Sequence, residues 1–84
     1  MRKLMAFKAA WCGPCKMLTP ILKQMQEEGY DIEMIDVDEQ TDLADANNVK
    51  SIPTLDFYEG DMKYRRALGF QTREQLEAFF TEKA

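Results

Sequence analysis

The chain has 84 residues with a formal net charge of −4, and 45% of its residues are hydrophobic. This length and balance predict one folded domain over residues 1–84 with a single hydrophobic core. The negative charge argues against a nucleic-acid ligand, and no apolar run approaches the roughly 20 residues of a membrane-spanning helix. Lys8 interrupts the first apolar stretch too early for a secretory signal peptide, so we expect a cytoplasmic protein.

The first half of the chain predicts a strand, a helix and a second strand. The segment KLMAF (Lys3–Phe7) is short and apolar, which indicates a buried strand. Gly13 and Pro14 then open a helix, because proline suits the first helical turn. Gly29 ends this helix, Pro20 kinks it, and its apolar face recurs at Met17, Leu18, Ile21, Leu22 and Met25. A second strand follows over Asp31–Asp38.

The second half predicts a short helix, a hairpin and a last helix. The short helix covers Thr41–Val49, and the hairpin covers Pro53–Gly69 with its turn at residues 59–61. Thr72 and Gln75 form a capping box for the last helix. The side chains expected to pack inward from these two helices are Leu43, Ala44, Ala46, Leu76, Phe79 and Phe80.

The order β-α-β-α-β-β-α predicts an α/β fold. The first two strands should be parallel and the hairpin antiparallel, which gives a mixed four-stranded sheet with helices on both faces. We expect two β-α-β crossovers, both right-handed.

Both cysteines of the chain, Cys12 and Cys15, lie in AAWCGPCKM and are separated by two residues. A structural zinc site needs about four Cys or His ligands, and this sequence has no histidine. Two chains could pool their thiols around zinc or an iron–sulfur cluster, which stays open as an alternative. A structural disulfide here would close only a very short loop and gain little from loop-closure entropy. We therefore expect no metal and no separate cofactor, and interpret the pair as redox-active.

The position of the pair at a helix start indicates how it would react. Unpaired N–H groups and the helix dipole stabilise a thiolate there, and the thiolate is the attacking species. Cys12 precedes the first turn and gains most of this stabilisation, so it is the predicted nucleophile. Cys15 lies one turn further and is the predicted resolving thiol, which leaves an intramolecular disulfide.

The segment WCGPC resembles the active-site signature of the thioredoxin family, and the resemblance extends over nearly the whole chain. The internal Pro20, the segment SIPT (Ser51–Thr54) and the single Gly69 also resemble that family. The chain begins late, because thioredoxins usually carry an extra strand and helix before KLMAF. The resemblance therefore implies a minimal thioredoxin fold of glutaredoxin size.

The resemblance also implies roles for residues around the cysteines. Trp11, Gly13 and Pro14 would shape the active-site loop and tune its redox poise. Pro53 would follow a cis peptide bond and lie against the cysteines, and the backbone of Ile52 would pair with an extended substrate. Gly69 would flank the same site.

Two positions depart from the family pattern. Thioredoxins usually place a buried aspartate where this chain has Ala6, and a lysine where it has Met34. Either water or Lys8, which shares a strand face with Ala6, replaces this charge pair. Lys8 could also stabilise the Cys12 thiolate, or it could be an ordinary surface residue.

The predicted function is that of a protein disulfide reductant acting as a monomer. By resemblance, thioredoxin reductase would supply the electrons and ribonucleotide reductase is a plausible client. A glutathione-dependent glutaredoxin-type enzyme is one alternative: the short length favours it, while Gly13–Pro14 and the single Gly69 followed by Phe70 disfavour it. A protein-binding accessory subunit that uses the same fold is the other.

Three further features are interpreted as structural. Residues 36–41 suggest a calcium loop, but Thr41 stands where its glycine belongs and Asn47 where its bidentate glutamate belongs, so we interpret them as a strand end and a helix cap. Arg65 and Arg66 are expected on the hairpin surface, and the six methionines mostly in the core.

Overall fold

The computed structural model describes residues 1–81 and contains the predicted order of elements. They are β1 (Arg2–Lys8), α1 (Gly13–Glu27), β2 (Ile32–Asp36), α2 (Thr41–Ala46), β3 (Thr54–Glu59), β4 (Met62–Leu68) and α3 (Arg73–Thr81). The strands form one sheet in the order β2-β1-β3-β4, with β1 parallel to β2 and the other neighbours antiparallel. The predicted fold class is confirmed.

Only one of the two predicted β-α-β crossovers is present. Strand β3 pairs with β1 in the antiparallel direction, on the opposite side of β1 from β2. The connection from β2 through α2 therefore leads to an antiparallel strand, and only β1-α1-β2 joins parallel neighbours.

Side chains alternate along β1 and β3, so each face of the sheet builds its own core. The larger core joins β1 and β3 side chains such as Leu4 and Phe57 to Leu22 of α1 and Phe79 of α3. The smaller core joins Phe7 and other side chains on the opposite face to Ala44 of α2. The cysteines belong to a third apolar cluster beyond the end of β1. This arrangement places the redox pair at the edge of the sheet where β1 and β2 both end.

Several local sequence patterns adopt the structures predicted for them. Gly29 follows α1 with a φ of +101°, a conformation that glycine adopts without a Cβ penalty. The Thr72 N–H donates to Gln75 Oε1 at 2.8 Å and the Gln75 N–H donates to Thr72 Oγ1 at 3.2 Å, which completes the predicted capping box. The hairpin turns at Gly60 and Asp61 as predicted.

Other expectations were wrong in detail. Helix α2 ends at Ala46, because Asn48 takes a left-handed φ of +55° that stops the helix, and Ala46 itself is exposed. The Gln40 side chain provides no cap at its start. Met17 is 65% exposed, and Met1 and Met62 are exposed as well, so half of the six methionines and not most of them pack in the cores.

Candidate active site

The turn between β1 and α1 places Cys12 at the N-cap of α1 and Cys15 in its first turn. The two residues form a disulfide with a Cα–Cα distance of 5.2 Å. The Cys15 N–H donates to Cys12 Sγ at 3.2 Å, so the Cys12 sulfur occupies the position of an N-cap acceptor. An N–H donor and the positive end of the helix dipole therefore both point to this sulfur, which favours its thiolate once the disulfide is reduced.

The surroundings of the disulfide are apolar. Cys12 is 5% exposed and Cys15 is 2% exposed, and they pack with Ala9, Val37 and Ile52. The more exposed sulfur-bearing residue is the predicted nucleophile, and the more buried one is the predicted resolving thiol.

The cis peptide bond predicted for Ile52–Pro53 is present. Pro53 is held to β4 because its carbonyl oxygen accepts the Gly69 N–H at 2.9 Å, and Thr54 Oγ1 donates to the Ser51 carbonyl at 2.5 Å. Ile52 packs in the cysteine cluster, and within residues 1–81 its N–H and C=O make no backbone hydrogen bond. The structure thus packs Ile52 with the cysteines and joins the neighbouring Pro53 to Gly69 by a hydrogen bond.

Trp11 has a partner that the sequence reading missed. Trp11 is 68% exposed, and its Nε1–H donates to Asp38 Oδ2 at 2.9 Å. Asp38 follows β2, just as Trp11 follows β1, and parallel strands end at the same edge of a sheet. That rule could have predicted the pair. Asp36 makes a separate turn here, because its Oδ1 accepts the N–H groups of Asp38 and Glu39.

Lys8 lies at the end of β1, opposite Asp36 of β2 in the strand register. It is half-buried and lines a depression of about 280 Å³ whose wall also includes Cys15, Lys16 and Thr19. Lys8 thus shares this depression with Cys15, the predicted resolving thiol.

Ala6 and Met34 are cross-strand partners, so both departures from the family pattern fall at one place. Both pack in the apolar core between the sheet and helices α1 and α3. Among the described residues, the buried polar side chains are Thr54 and Asp56. Asp56 pairs in register with Met5, whose side chain packs on the α2 face, so Asp56 does not replace the missing charge pair.

Asp56 forms a charge network that the sequence reading also missed. Its carboxylate is fully buried and accepts Arg66 Nε at 2.7 Å, Arg66 Nη2 at 2.9 Å and Lys63 Nζ at 3.0 Å. Burial disfavours the charged carboxylate, but the hydrogen bonds from Arg66 and Lys63 outweigh it and hold the pKa of Asp56 below its ordinary value. Arg66 is therefore not simply a hairpin surface residue, in contrast to Arg65. The sequence pattern that could have predicted this network is the polar Asp56 between apolar Leu55 and Phe57 in β3.

Within residues 1–81, no group of three His, Cys, Asp or Glu side chains is placed to hold a metal ion. No helix in that part of the chain is long and apolar enough to cross a membrane.

The fold and the disulfide at the start of α1 define a thiol–disulfide oxidoreductase. The chain belongs to the thioredoxin family, since the family model described as Thioredoxin matches residues 2–82. It is 38% identical over 78 residues to a thioredoxin of Alicyclobacillus acidocaldarius subsp. acidocaldarius, covering 89% of this chain and 74% of the relative. It is 40% identical over 77 residues to a thioredoxin of Staphylococcus aureus, covering 88% and 74%.

The structural comparison agrees with the sequence comparison. A mutant thioredoxin from Halobacterium salinarum NRC-1 superposes with a TM-score of 0.85 at 33% identity, covering 99% of this chain and 77% of the other. The thioredoxin of Malassezia sympodialis superposes with a TM-score of 0.79 at 26% identity, covering 99% and 76%. The chain is a thioredoxin-type protein-disulfide oxidoreductase that acts on protein disulfides.

Proposed function

We propose that the chain works in the reducing direction, with Cys12 as the nucleophile and Cys15 as the resolving thiol. The observation that carries this proposal is the N-cap position of Cys12, whose sulfur accepts the Cys15 N–H at 3.2 Å. The Cys12 thiolate attacks a partner disulfide, forms a mixed disulfide and expels one partner thiolate. Cys15, deprotonated, then attacks the Cys12 sulfur and expels the second partner thiolate. The partner gains two electrons and, after protonation, two thiols, while this chain becomes the disulfide.

Ile52, Pro53 and Gly69 form the proposed docking site for the partner. The unpaired N–H and C=O of Ile52 are suited to pair with an extended segment on either side of its cysteine. Trp11, Gly13 and Pro14 complete the surface next to Cys12, and all three are exposed. Backbone contacts and apolar area would therefore both help to hold a partner.

Lys8 is the proposed substitute for the missing buried charge pair. The support is its place beside Cys15 in the same depression. If Lys8 stabilises thiolate in this site, Lys8→Met raises the apparent pKa of the Cys12 thiol, measured from the pH dependence of its alkylation rate. Lys23→Met, an exposed change further along α1, is the matched control. Equal pKa values in both variants would leave water as the replacement.

Thioredoxin reductase is the proposed electron donor, ribonucleotide reductase one proposed client, and the cytoplasm the proposed location, with a single chain as the working unit. The support is the family membership together with a cysteine pair suited to catalysis in a reducing compartment. Neither an added metal nor a separate cofactor enters the proposed cycle.

The deciding experiment supplies one electron source at a time. Insulin reduction is followed with NADPH and thioredoxin reductase, or with glutathione and glutathione reductase. Turnover with the first system alone supports the proposal, and turnover with glutathione alone would assign the glutaredoxin-type alternative. Cys12→Ser should abolish turnover, whereas Cys15→Ser should accumulate the mixed disulfide. A partner-binding function that survives in the Cys12→Ser/Cys15→Ser variant would indicate an accessory subunit.

A further inference from the structure

Arg66 joins three separate parts of the fold through one guanidinium group. In β3 it meets both carboxylate oxygens of Asp56. Directly after α2 it meets two backbone carbonyls, with Nη2 donating to Asn47 O at 2.6 Å and Nη1 to Asn48 O at 3.2 Å. The planar fork of arginine can satisfy both groups at once, which a lysine at the same position cannot do.

Helix α2 depends on this contact more than a longer helix would. It has six residues and buries only Ala44 fully, and helices this short are marginal without tertiary contacts. The carbonyls that Arg66 binds lie at its C-terminal end, where the helix dipole favours a cation. Lys63 adds a hydrogen bond to Asn47 Oδ1 at 3.3 Å.

The segment that follows α2 carries the proposed substrate-binding residues. Four residues, 49–52, separate Asn48 from Pro53, and none of them lies in a helix or strand. The Pro53 end is held by the Gly69 N–H, and the Asn48 end is held by Arg66. Ile52 therefore lies on a short connection with one fixed point at each end.

We infer that Arg66, anchored by Asp56, is a positioning residue that sets the place of Ile52 for pairing with the partner protein. The inference rests on the proposed docking role of Ile52 and Pro53. It does not place Arg66 in contact with the reacting sulfurs. Loss of the Asn47 and Asn48 contacts should therefore weaken docking of an extended protein segment and leave sulfur chemistry unchanged.

The test uses two variants and a neighbour as control. Arg66→Lys keeps a cation near Asp56 but removes the fork that holds the carbonyls. Asp56→Leu/Arg66→Met replaces the ion pair by apolar side chains, a change that buried pairs often tolerate without loss of stability. Arg65→Lys is the control, since Arg65 lies on the same strand but its guanidinium stacks over Phe57, with its Cζ 5.0 Å from the ring centroid.

Two readouts are measured on folded, pre-reduced protein. The insulin concentration that gives half-maximal rate should rise about three- to tenfold in both variants, the effect of roughly one hydrogen bond, while the rate with a small aromatic disulfide stays unchanged. Independently of activity, the Val49 amide, which bonds to Ala44 O, should exchange its hydrogen about tenfold faster, and the Leu4 amide should not.

Unchanged insulin dependence, or an equal loss with both substrates, would overturn the inference, and so would an unchanged Val49 exchange rate. These results differ from failure of the proposed function, which would appear as wild-type protein unable to reduce insulin. In that case the Val49 exchange rate still decides whether Arg66 holds the segment.

Discussion

The cysteine pair and Asp56 are both buried, but the side chains around them differ in polarity. The disulfide is surrounded by apolar Ala9, Val37 and Ile52. Asp56, on the α2 face of the sheet, carries a full charge and has hydrogen bonds from two cations. Within residues 1–81 the fully buried charge holds parts of the fold together, whereas the redox pair packs against apolar side chains and has Lys8 in the depression that Cys15 lines.

The difference shows what a buried charge requires. A carboxylate taken out of water is stable only where partners satisfy its oxygens, because desolvation otherwise costs several kcal/mol. At Asp56 both partners come from β4: Arg66 is its register partner, and Lys63 lies opposite Tyr58. At Ala6 the cross-strand neighbours are Met34 and Leu55, which offer none. The two departures from the family pattern therefore fall on facing residues of one apolar core.

The largest effect on stability is expected from introducing a carboxylate into the apolar core at Ala6. Ala6→Asp should lower the free energy of unfolding by about 3–4 kcal/mol at pH 7, because an unpaired carboxyl replaces a residue that is 1% exposed. Urea denaturation measures the loss. Ala6→Asp/Met34→Lys is the control and should recover part of it, since Met34 is the register partner of Ala6. Equal stability of Ala6→Asp and wild type would show that water reaches this core.

The next largest effect on stability is expected from removing the charge of Asp56, which has hydrogen-bond partners. Asp56→Asn should lower the free energy of unfolding by about 2–3 kcal/mol, because Arg66 and Lys63 lose their anionic partner but keep some solvent contact. Asp61→Asn, an exposed carboxyl in the hairpin turn, should change it by less than about 0.5 kcal/mol. Similar losses in the two variants would contradict a special role for the buried network.

The same carboxyl should make stability depend on pH. A carboxyl whose pKa is lower in the folded protein stabilises the fold at pH values above its unfolded pKa, and this contribution is lost as the pH falls through the folded value. The pKa of Asp56 lies below its ordinary 3.8. The stability difference between wild type and Asp56→Asn should therefore be constant above about pH 5 and shrink below about pH 4. Urea denaturation from pH 7 to pH 2.5 checks this, and a difference that grows on acidification would contradict it.

The contrast between these regions also explains what the sequence could predict. Element order, sheet composition and the cysteine pair follow from local patterns, because periodicity, Gly29 and the Thr72–Gln75 box act within a few residues. The Asp56–Arg66 network was missed, since it depends on strand register between β3 and β4 and on where α2 ends. From the sequence alone, an arginine is expected at the surface. Only the pairing of β3 with β4 shows that Arg66 faces the buried Asp56.

At the site, the sequence supplied the cysteines and, through resemblance, Ile52, Pro53 and Gly69. It did not supply the Trp11 contact with Asp38, because the two residues are 27 positions apart and meet only through the parallel pairing of β1 and β2. The prediction that Met17 lies on the buried face of α1 was wrong for a simpler reason. Helical spacing gives the width of an apolar face but not how much of that face the sheet covers.

The smallest expected effect concerns the hydrogen bond between Trp11 and Asp38, which involves the residue directly before Cys12. Asp38→Ala removes the acceptor of the Trp11 N–H, and exposed hydrogen bonds contribute about 0.5–1.5 kcal/mol. The indole should then reorient, so the rate of insulin reduction falls about two- to fivefold while the free energy of unfolding changes by less than about 1 kcal/mol. Trp11 is the one tryptophan of the chain, so its fluorescence reports the change directly. Glu39→Ala, an adjacent exposed carboxylate, is the control. The same rate and emission spectrum in both variants would show that the loop around Cys12 is held without Asp38, by the apolar cluster and the start of α1 alone.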